Sequence, residues 1–185
     1  AIQIDRLRPL DFTPFSDALG ALKPTPELDA LIAGADIAAI QAAMADGRLS
    51  AETLTLWHLA RIQRLDDRLR GMLEINPAAL AEAKAADARR AAGKSLGPLD
   101  GIPITLKDNI GTEGPMHTTA NAEVLLDNVA PADAPLVANL RAAGAVIIGK
   151  ASLSEFAGAI AAGLPSGGNG AISGQGINPL GPYPT

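Results

Sequence analysis

The residues best suited to chemistry in this sequence surround one lysine, Lys107, which follows a short apolar segment and precedes the polar pair Asp108-Asn109. An Asp-Gly turn at positions 100–101 leads into that segment, residues 102–106, which predicts a short buried strand. Active sites of open α/β sheets collect at the carboxyl ends of strands, so Lys107 is placed where a catalytic group would sit. From these residues alone a second interpretation stays open, in which Lys107 is a solvated strand end whose stem covers apolar neighbours.

The composition restricts the classes of protein to which the chain can belong. Its 185 residues are 48% hydrophobic, which is enough for the core of one domain and excludes a disordered tail. Fifteen basic residues against 20 acidic ones give a net charge of -5 with no basic cluster, so no nucleic-acid partner is expected. No uninterrupted apolar run of about 18 residues is present, so neither a transmembrane helix nor a membrane partner is expected.

The cysteine and histidine content excludes several kinds of site. The chain has no cysteine, so disulfides, a thiol nucleophile and cysteine-ligated zinc are ruled out. Two isolated histidines, His58 and His117, cannot by themselves hold a metal, and we expect neither a metal nor a cofactor. We expect a soluble chain, with the cytoplasm and export both open as compartments. Its first residue, Ala1, leaves open whether a leader or an initiator preceded it.

A proline-rich lead and two helices are predicted at the start of the chain. Residues 1–35 contain four prolines, each of which removes a backbone donor, and this predicts an extended strap over a larger body. The apolar spacing of residues 36–47 predicts a helix that a glycine ends. Ser50 is the predicted cap of a longer helix. On that helix we expect Trp57 to lie in the core and His58 to be packed or at the surface.

Strands and helices are predicted to alternate in the middle of the chain. Residues 71–76 predict a short strand, and Asn76-Pro77 predicts the start of an alanine-rich helix that runs to about residue 93. Residues 133–143, with Leu136, Val137 and Leu140, predict a second amphipathic helix, and residues 145–150 predict a strand buried on both faces. The spacing of strand, helix and strand predicts a right-handed crossover and hence a parallel pair. The alanine-rich helix is predicted to present mixed charges to solvent: Glu82, Lys84, Asp87, Arg89 and Arg90.

The last stretch, residues 163–185, has almost no periodicity and is rich in glycine and proline. A loop of more than about 15 residues in a compact domain is usually functional or disordered. It matches no phosphate-binding loop, because Gly174-Gln175-Gly176 is not set between a strand and a helix. The residues alone leave open whether it is a surface loop or the wall of a site.

Four segments resemble, in the same order, those of the amidase signature family. They are residues 99–109 with Lys107, then Thr118-Thr119-Ala120, then residues 144–150 leading to Glu155-Phe156-Ala157, then residues 174–179. Residues 69–77 are similar to the peptide amidase branch of that family, which hydrolyses C-terminal amides of peptides. The resemblance covers about residues 36–179 and leaves the first 35 outside.

The resemblance implies a fold and an activity. The fold would be α/β, the N-terminal part of an amidase-signature fold, with a mixed, mostly parallel sheet covered by helices on both faces. Residues 36–185 would form that part, incomplete without further chain, after the strap of residues 1–35. The activity would be cleavage of a carboxamide C–N bond by a Ser-cis-Ser-Lys mechanism. Lys107 would act as a base through a bridging serine held in a cis peptide, and a second serine would form an acyl-enzyme.

Two further expectations concern the surroundings of Lys107. Its amine must be neutral to act as a base, and we expect the apolar residues Ile102, Ile104 and Leu106 to supply the necessary desolvation. By comparison with the family, a wall of small residues would leave room for substrate beside the scissile group: Ala157, Gly158 and Ala159. Two departures from the family pattern could reshape the pocket: Ala151-Ser152 replaces Thr-Asn, and Asn121-Ala122 replaces Gly-Ser.

Both family serines would lie outside this chain. The serine-bearing run follows shortly after the segment at residues 174–179 in the family. The serines that are present do not match the family positions: Ser152, Ser154, Ser166 and Ser173. We therefore expect the chain to be the N-terminal piece of a larger amidase. Its partners would be the remainder of that polypeptide and a small amide or peptide-amide substrate. Two alternatives stay open: an amidase-like component of a tRNA-dependent amidotransferase, and a non-catalytic amidase-like protein.

Overall fold

A computed structural model of the chain describes residues 5–159 and 167–180. Its helices and strands, in chain order, are α1 (Ser16–Ala21), α2 (Pro26–Ile32), α3 (Ile37–Ala45), α4 (Ala51–Leu69), β1 (Met72–Ile75), α5 (Ala79–Ala91), β2 (Pro103–Lys107), α6 (Pro135–Ala142), β3 (Val146–Ala151), β4 (Asn169–Gly170) and β5 (Gly174–Gln175). Short 3-10 turns lie at Thr13–Phe15, Glu123–Leu125 and Glu155–Gly158. The predicted elements between residues 36 and 151 are therefore present, with small shifts of their ends.

The lead before residue 36 is more helical than its prolines predicted. Pro14 and Pro26 stand in the first turns of helical segments, where a missing N–H removes no hydrogen bond. The Thr25 hydroxyl caps α2. The expectation of an extended lead is thus wrong for α1 and α2, while the division of the chain at residue 35 stays a prediction.

The two helices that follow begin as the sequence predicts. The Asp36 carboxylate accepts from the Ala39 amide at the start of α3, and the Ser50 hydroxyl accepts from the Thr53 amide at the start of α4. These side chains satisfy amides that the first helical turn leaves without partners. On α4, Trp57 is buried, as expected.

Helix α5 departs from its prediction in two ways. Its regular turns begin at Ala79, two residues after the proline, although Asn76 caps the start as predicted, since its side-chain oxygen accepts from the Ala78 amide at 3.0 Å. The buried side-chain amide of Asn76 also donates to the Ile147 carbonyl at 2.7 Å. A solvated charged side was expected, but among Glu82, Lys84, Asp87, Arg89 and Arg90 only Lys84 is exposed. The Asp87 carboxylate accepts from the first two amides of α4, and Arg89 pairs with the buried Asp100 at 2.5 Å. That expectation is wrong because these charges hold neighbouring elements.

The three-stranded sheet has the order β1-β3-β2. Strands β2 and β3 are parallel, as the crossover prediction required, and β1 is antiparallel to β3. The sheet is therefore mixed, with β2 at one edge of the described part. Strands β4 and β5 form a separate two-residue hairpin within the stretch predicted to be irregular.

Helices cover both faces of the sheet. On one face, residues of α4 and α5 pack against Val146 and Ile148 of β3. On the other, Val137 of α6 packs against Leu106 and Ile147. Leu136 was expected on the buried side of α6 but is 53% exposed, because Val137 takes the core position. No helix in the described ranges is both long enough and apolar enough to cross a bilayer.

Candidate active site

Lys107 ends β2 at the edge of the sheet. Successive strand residues point to opposite faces, so the buried Leu106 and the exposed Lys107 lie on different sides. In the part of the chain that the structure describes, the side chain of Lys107 is exposed. The expectation that Ile102, Ile104 and Leu106 desolvate its amine is therefore wrong. The reason is that Lys107 points to the opposite side of the strand from Leu106, and that β2 lies at an edge of the sheet.

The backbone around Lys107 is held by hydrogen bonds on both sides. The Asp108 amide donates to the Ala151 carbonyl of β3 at 3.0 Å, which continues the parallel ladder beyond the strand. The Ile110 amide donates to the Lys107 carbonyl at 2.9 Å and closes a turn. The Ala120 amide donates to the Asp108 carbonyl at 3.2 Å. The backbone at Lys107 is thus fixed, although its side chain is exposed.

A second lysine, Lys150, lies near the carboxyl end of the central strand β3 and is completely buried. Its ammonium donates to the Ile110 carbonyl at 2.7 Å, to the Thr118 hydroxyl at 3.0 Å and to the Thr112 hydroxyl at 3.1 Å. These three bonds use all the donors of a lysine ammonium. Sequence reasoning missed this residue, although the apolar run that precedes it on β3 was a signal of burial.

Asp108 is the buried counter-charge of Lys150, with 3.7 Å between the carboxylate and the ammonium. The carboxylate also accepts from the Thr119 amide at 2.9 Å and from the Thr119 hydroxyl. Burial raises the pKa of Asp108, and burial lowers the pKa of Lys150, whereas each charge favours ionisation of the other. The pair ties the loop after β2 to the neighbouring strand.

Asn121, one of the two departures from the family pattern, joins this loop to the hairpin of β4 and β5. Its side-chain amide donates to the Leu153 carbonyl at 2.7 Å and to the Ser173 hydroxyl at 3.0 Å, and its side-chain carbonyl accepts from the Ser173 amide. It has a φ of 57°, a left-handed conformation that asparagine tolerates better than most residues. Gly170 packs directly on it, where a Cβ would overlap the Asn121 side chain.

The hydroxyls of Ser152, Ser154 and Ser173 form hydrogen bonds within the chain. The hydroxyls of Ser152 and Ser173 are 3.1 Å apart, and the Ser154 hydroxyl accepts from the Gly168 amide. Ser166 lies outside the described residues. Ser152 also lines an open groove of about 720 Å³ between the end of α4 and residues 175–179.

The three small residues proposed as a substrate wall lie in one tight turn. Ala157 and Ala159 are exposed, and Gly158 is half-buried. Phe156 and Ala157 have φ values of 47° and 57°, and Gly158 also has a positive φ. The Phe156 amide donates to the Ala120 carbonyl at 3.0 Å, and Ala120 in turn donates to Asp108. Backbone hydrogen bonds therefore connect this turn with the residue after Lys107.

His117 does not contribute a metal site. Its ring nitrogen Nδ1 lies 2.9 Å from the Glu74 carboxylate, which also accepts from the His117 amide. His58 packs edge-on against the Trp57 ring and lines a pocket together with Thr105 of β2 and Ala151 of β3. In the described part of the chain no group of three or more histidines and carboxylates could hold a metal ion.

Comparison with known proteins identifies the family of the chain. Residues 53–181 match the model of the family described as Amidase. One relative, from Chloroflexus aurantiacus, is named as a component of glutamyl-tRNA(Gln) amidotransferase; it is 48% identical over 122 residues, 65% of this chain and 25% of that protein. The chain thus spans about a quarter of the length of this curated relative.

Two solved structures are also similar. Native peptide amidase from Stenotrophomonas maltophilia is 46% identical with a TM-score of 0.73, over 80% of this chain and 30% of that one. An amidase family protein from Bacillus anthracis is 33% identical with a TM-score of 0.79, over 91% of this chain and 34% of that one. These similarities support the α/β fold with helices on both faces of a mixed sheet.

Proposed function

Because this chain belongs to the amidase family, we propose that it supplies the lysine part of an active site that hydrolyses carboxamide bonds. The observation that carries the proposal is the place of Lys107. It ends the edge strand β2 with a fixed backbone and an exposed amine, which leaves room for hydroxyl groups beside it. An exposed amine at a sheet edge is suited to receive partners from another part of the polypeptide.

In the proposed mechanism Lys107 is a base whose neutral amine takes a proton through one serine hydroxyl from a second serine. That second serine attacks the amide carbon, ammonia or an amine leaves with the returned proton, and water hydrolyses the ester of the acyl-enzyme. Both serines would come from polypeptide outside this chain. The same polypeptide would cover the Lys107 amine and supply the burial that favours its neutral form.

The proposed substrates are small amides or amides of peptides. The wall of Ala157, Gly158 and Ala159 carries no side chain larger than a methyl group, which would leave space for an acyl group beside the scissile bond. The similarity to peptide amidase supports a peptide amide in particular.

The proposal is tested with the complete polypeptide that contains this chain, by measuring ammonia release from peptide amides in the absence of ATP. Lys107→Ala should lower kcat by about 1,000-fold, the middle of the range for loss of a general base. Lys84→Ala is the matched control, since Lys84 is an exposed lysine on α5, and it should leave the rate unchanged. Equal rates for wild type and Lys107→Ala would contradict the proposal.

A second candidate function is favoured by the relative from Chloroflexus aurantiacus, which is named as part of an amidotransferase. In that case the polypeptide would amidate a charged tRNA and would require ATP. A non-catalytic protein would show neither reaction. The acidic net charge of -5 counts against direct contact of this chain with tRNA.

The first proposed partner is the remainder of an amidase polypeptide. The chain covers 25% of the relative from Chloroflexus aurantiacus and 30% of peptide amidase, and this partial coverage supports the proposal. Intact-mass measurement and a denaturing gel of the natural protein test it. A single species of 18.8 kDa without a companion would contradict it.

A further inference from the structure

An ion pair with a buried carboxylate stands at each end of β2. Arg89, whose side chain is 31% exposed, pairs with Asp100 just before the strand, at 2.5 Å. Lys150, which is completely buried, pairs with Asp108 just after it, at 3.7 Å. Only the second pair includes the residue next to Lys107, so the first pair serves as a comparison farther from the candidate base.

Lys150 cannot itself exchange protons with a substrate. Its side chain has no exposed surface, and all three of its donors are bonded to loop residues 110, 112 and 118. Those acceptors belong to the segment that connects β2 with Thr119. A buried charge with this set of partners is suited to holding that segment in one conformation.

We propose that Lys150 and Asp108 are positioning residues for Lys107. The proposal deepens the proposed function and rests on it. The buried pair fixes the loop after β2, and the loop fixes the direction in which the Lys107 side chain leaves the sheet. The chemical role of Lys107 therefore depends on a charge pair that never contacts the substrate.

The connection from the pair to Lys107 consists of the ion pair itself and of hydrogen bonds in the adjoining loop. Lys150 and Thr119 hold the Asp108 carboxylate from two sides. The Asp108 amide is bonded to β3, and the Ile110 amide is bonded to the Lys107 carbonyl. Rotation of the backbone at position 108 would break these bonds. Since a displacement of about 1 Å at a catalytic group can cost about 100-fold in rate, a loosened loop would be visible in kcat.

The first part of the test uses hydrogen exchange on the complete polypeptide that contains this chain, with the variants Lys150→Met, Asp108→Asn and Arg89→Met. Lys150→Met and Asp108→Asn should accelerate exchange of the amides of Asp108, Ile110 and Ala120 by about 10-fold or more, as expected for local opening. Arg89→Met should instead accelerate the amides of Gly101 and Ile102, at the other end of β2. Asp108→Asn keeps the shape of the side chain and provides the answer if Lys150→Met does not fold.

The second part uses kinetics of the complete polypeptide. Lys150→Met and Asp108→Asn should lower kcat by about 100-fold with KM within about threefold, because the bound geometry of the base changes while substrate binding does not. Arg89→Met is the matched control, since it leaves the buried Asp100 carboxylate without its counter-ion and loses stability, but it should keep kcat within about threefold. A role in folding alone would move the melting temperature of all three variants and leave kcat alike in all three.

Two results would overturn the inference: uniform acceleration of exchange in Lys150→Met, or a kcat no lower than that of Arg89→Met. Failure of the proposed function is distinguishable from either. If the wild-type polypeptide releases no ammonia from any amide, the proposed function fails, and the exchange pattern alone decides whether the pair fixes residues 107–110.

Discussion

Removal of the Asp66 carboxylate is expected to lower the free energy of unfolding by about 4 kcal/mol. Asp66 lies in the last turn of α4 and is buried. Its carboxylate accepts from the Gly71 amide at 2.8 Å, from the Met72 amide at 3.2 Å and from the Arg6 guanidinium at 2.5 Å. One side chain thus joins the lead, the end of α4 and the start of β1.

The magnitude follows from what each substitution leaves behind. Asp66→Ala leaves the Arg6 charge, whose side chain is 8% exposed, without its counter-ion, and breaking such a pair costs about 3–5 kcal/mol. Arg6→Met leaves the carboxylate with its two amide donors but also removes the Arg6 bonds to the Met72 and Asp66 carbonyls, so we expect a loss of about 3 kcal/mol. If the double variant loses about 4 kcal/mol in total, the coupling between the two residues is about 3 kcal/mol.

The assay is urea unfolding of the 185-residue chain, followed by the fluorescence of Trp57, the single tryptophan. Asp66→Ala should also lower the melting temperature by about 12 °C, at about 3 °C per kcal/mol for a chain of this length. Asp67→Ala is the matched control, since Asp67 is the adjacent but exposed carboxylate, and its effect should stay within about 0.5 kcal/mol. A loss below about 1.5 kcal/mol for Asp66→Ala, or additive effects with Arg6→Met, would refute the assignment of a buried, coupled pair.

Three further changes test other parts of the fold. Gly149→Ala should abolish a stable fold, because a Cβ there would overlap the Glu74 carbonyl of β1; recovery of a cooperative unfolding transition would contradict this. Burial lowers the pKa of His58, and the neighbouring Arg61 charge lowers it further. As the pH falls, the histidine of the unfolded chain is therefore protonated before that of the folded chain. The free energy of unfolding then decreases below about pH 6.5. His58→Gln should therefore reduce the difference in urea midpoint between pH 7.5 and 5.5 (about one unit on each side of that value), and an unchanged difference would contradict the assignment. Asp87→Ala should cost about 1–2 kcal/mol in urea unfolding through loss of the cap of α4, whereas the exposed Asp46→Ala should cost less than about 0.5.

The start of each main helix could be predicted from the sequence because the cause is local. Asp36 and Ser50 cap the next turn of their own chain, within three residues. The parallel pairing of β2 and β3 was equally accessible, since the crossover between them follows from spacing. Asn76 caps the following turn as predicted, since its side-chain oxygen accepts from the Ala78 amide, but its bond to the Ile147 carbonyl, 71 residues away in sequence, could not be predicted.

The candidate site could be predicted only in part. Lys107 was selected through its strand and its resemblance to a family, and its role stays a prediction; its exposure depends on which strand lies at the edge of the sheet. Lys150 was missed because a lysine at a strand end is ordinarily at the surface, and only the loop acceptors at residues 110–118 explain its burial. The charged side of a helix is ambiguous in the same way: Arg89 could be predicted to face away from the core of its helix, but not to pair with the buried Asp100. Periodicity identifies the polar side of an element but not the groups that this side meets.

The left-handed backbone at Ala157 has a consequence for any library that would vary the proposed substrate wall. Valine, isoleucine and threonine are strongly disfavoured at a φ of 57°, so they would add backbone strain of about 1–2 kcal/mol at that codon. Glycine, asparagine and aspartate are the replacements compatible with that conformation. Ala159, with a φ of -63°, has a backbone conformation that β-branched side chains also adopt, which makes it the less strained of the two positions for such a library.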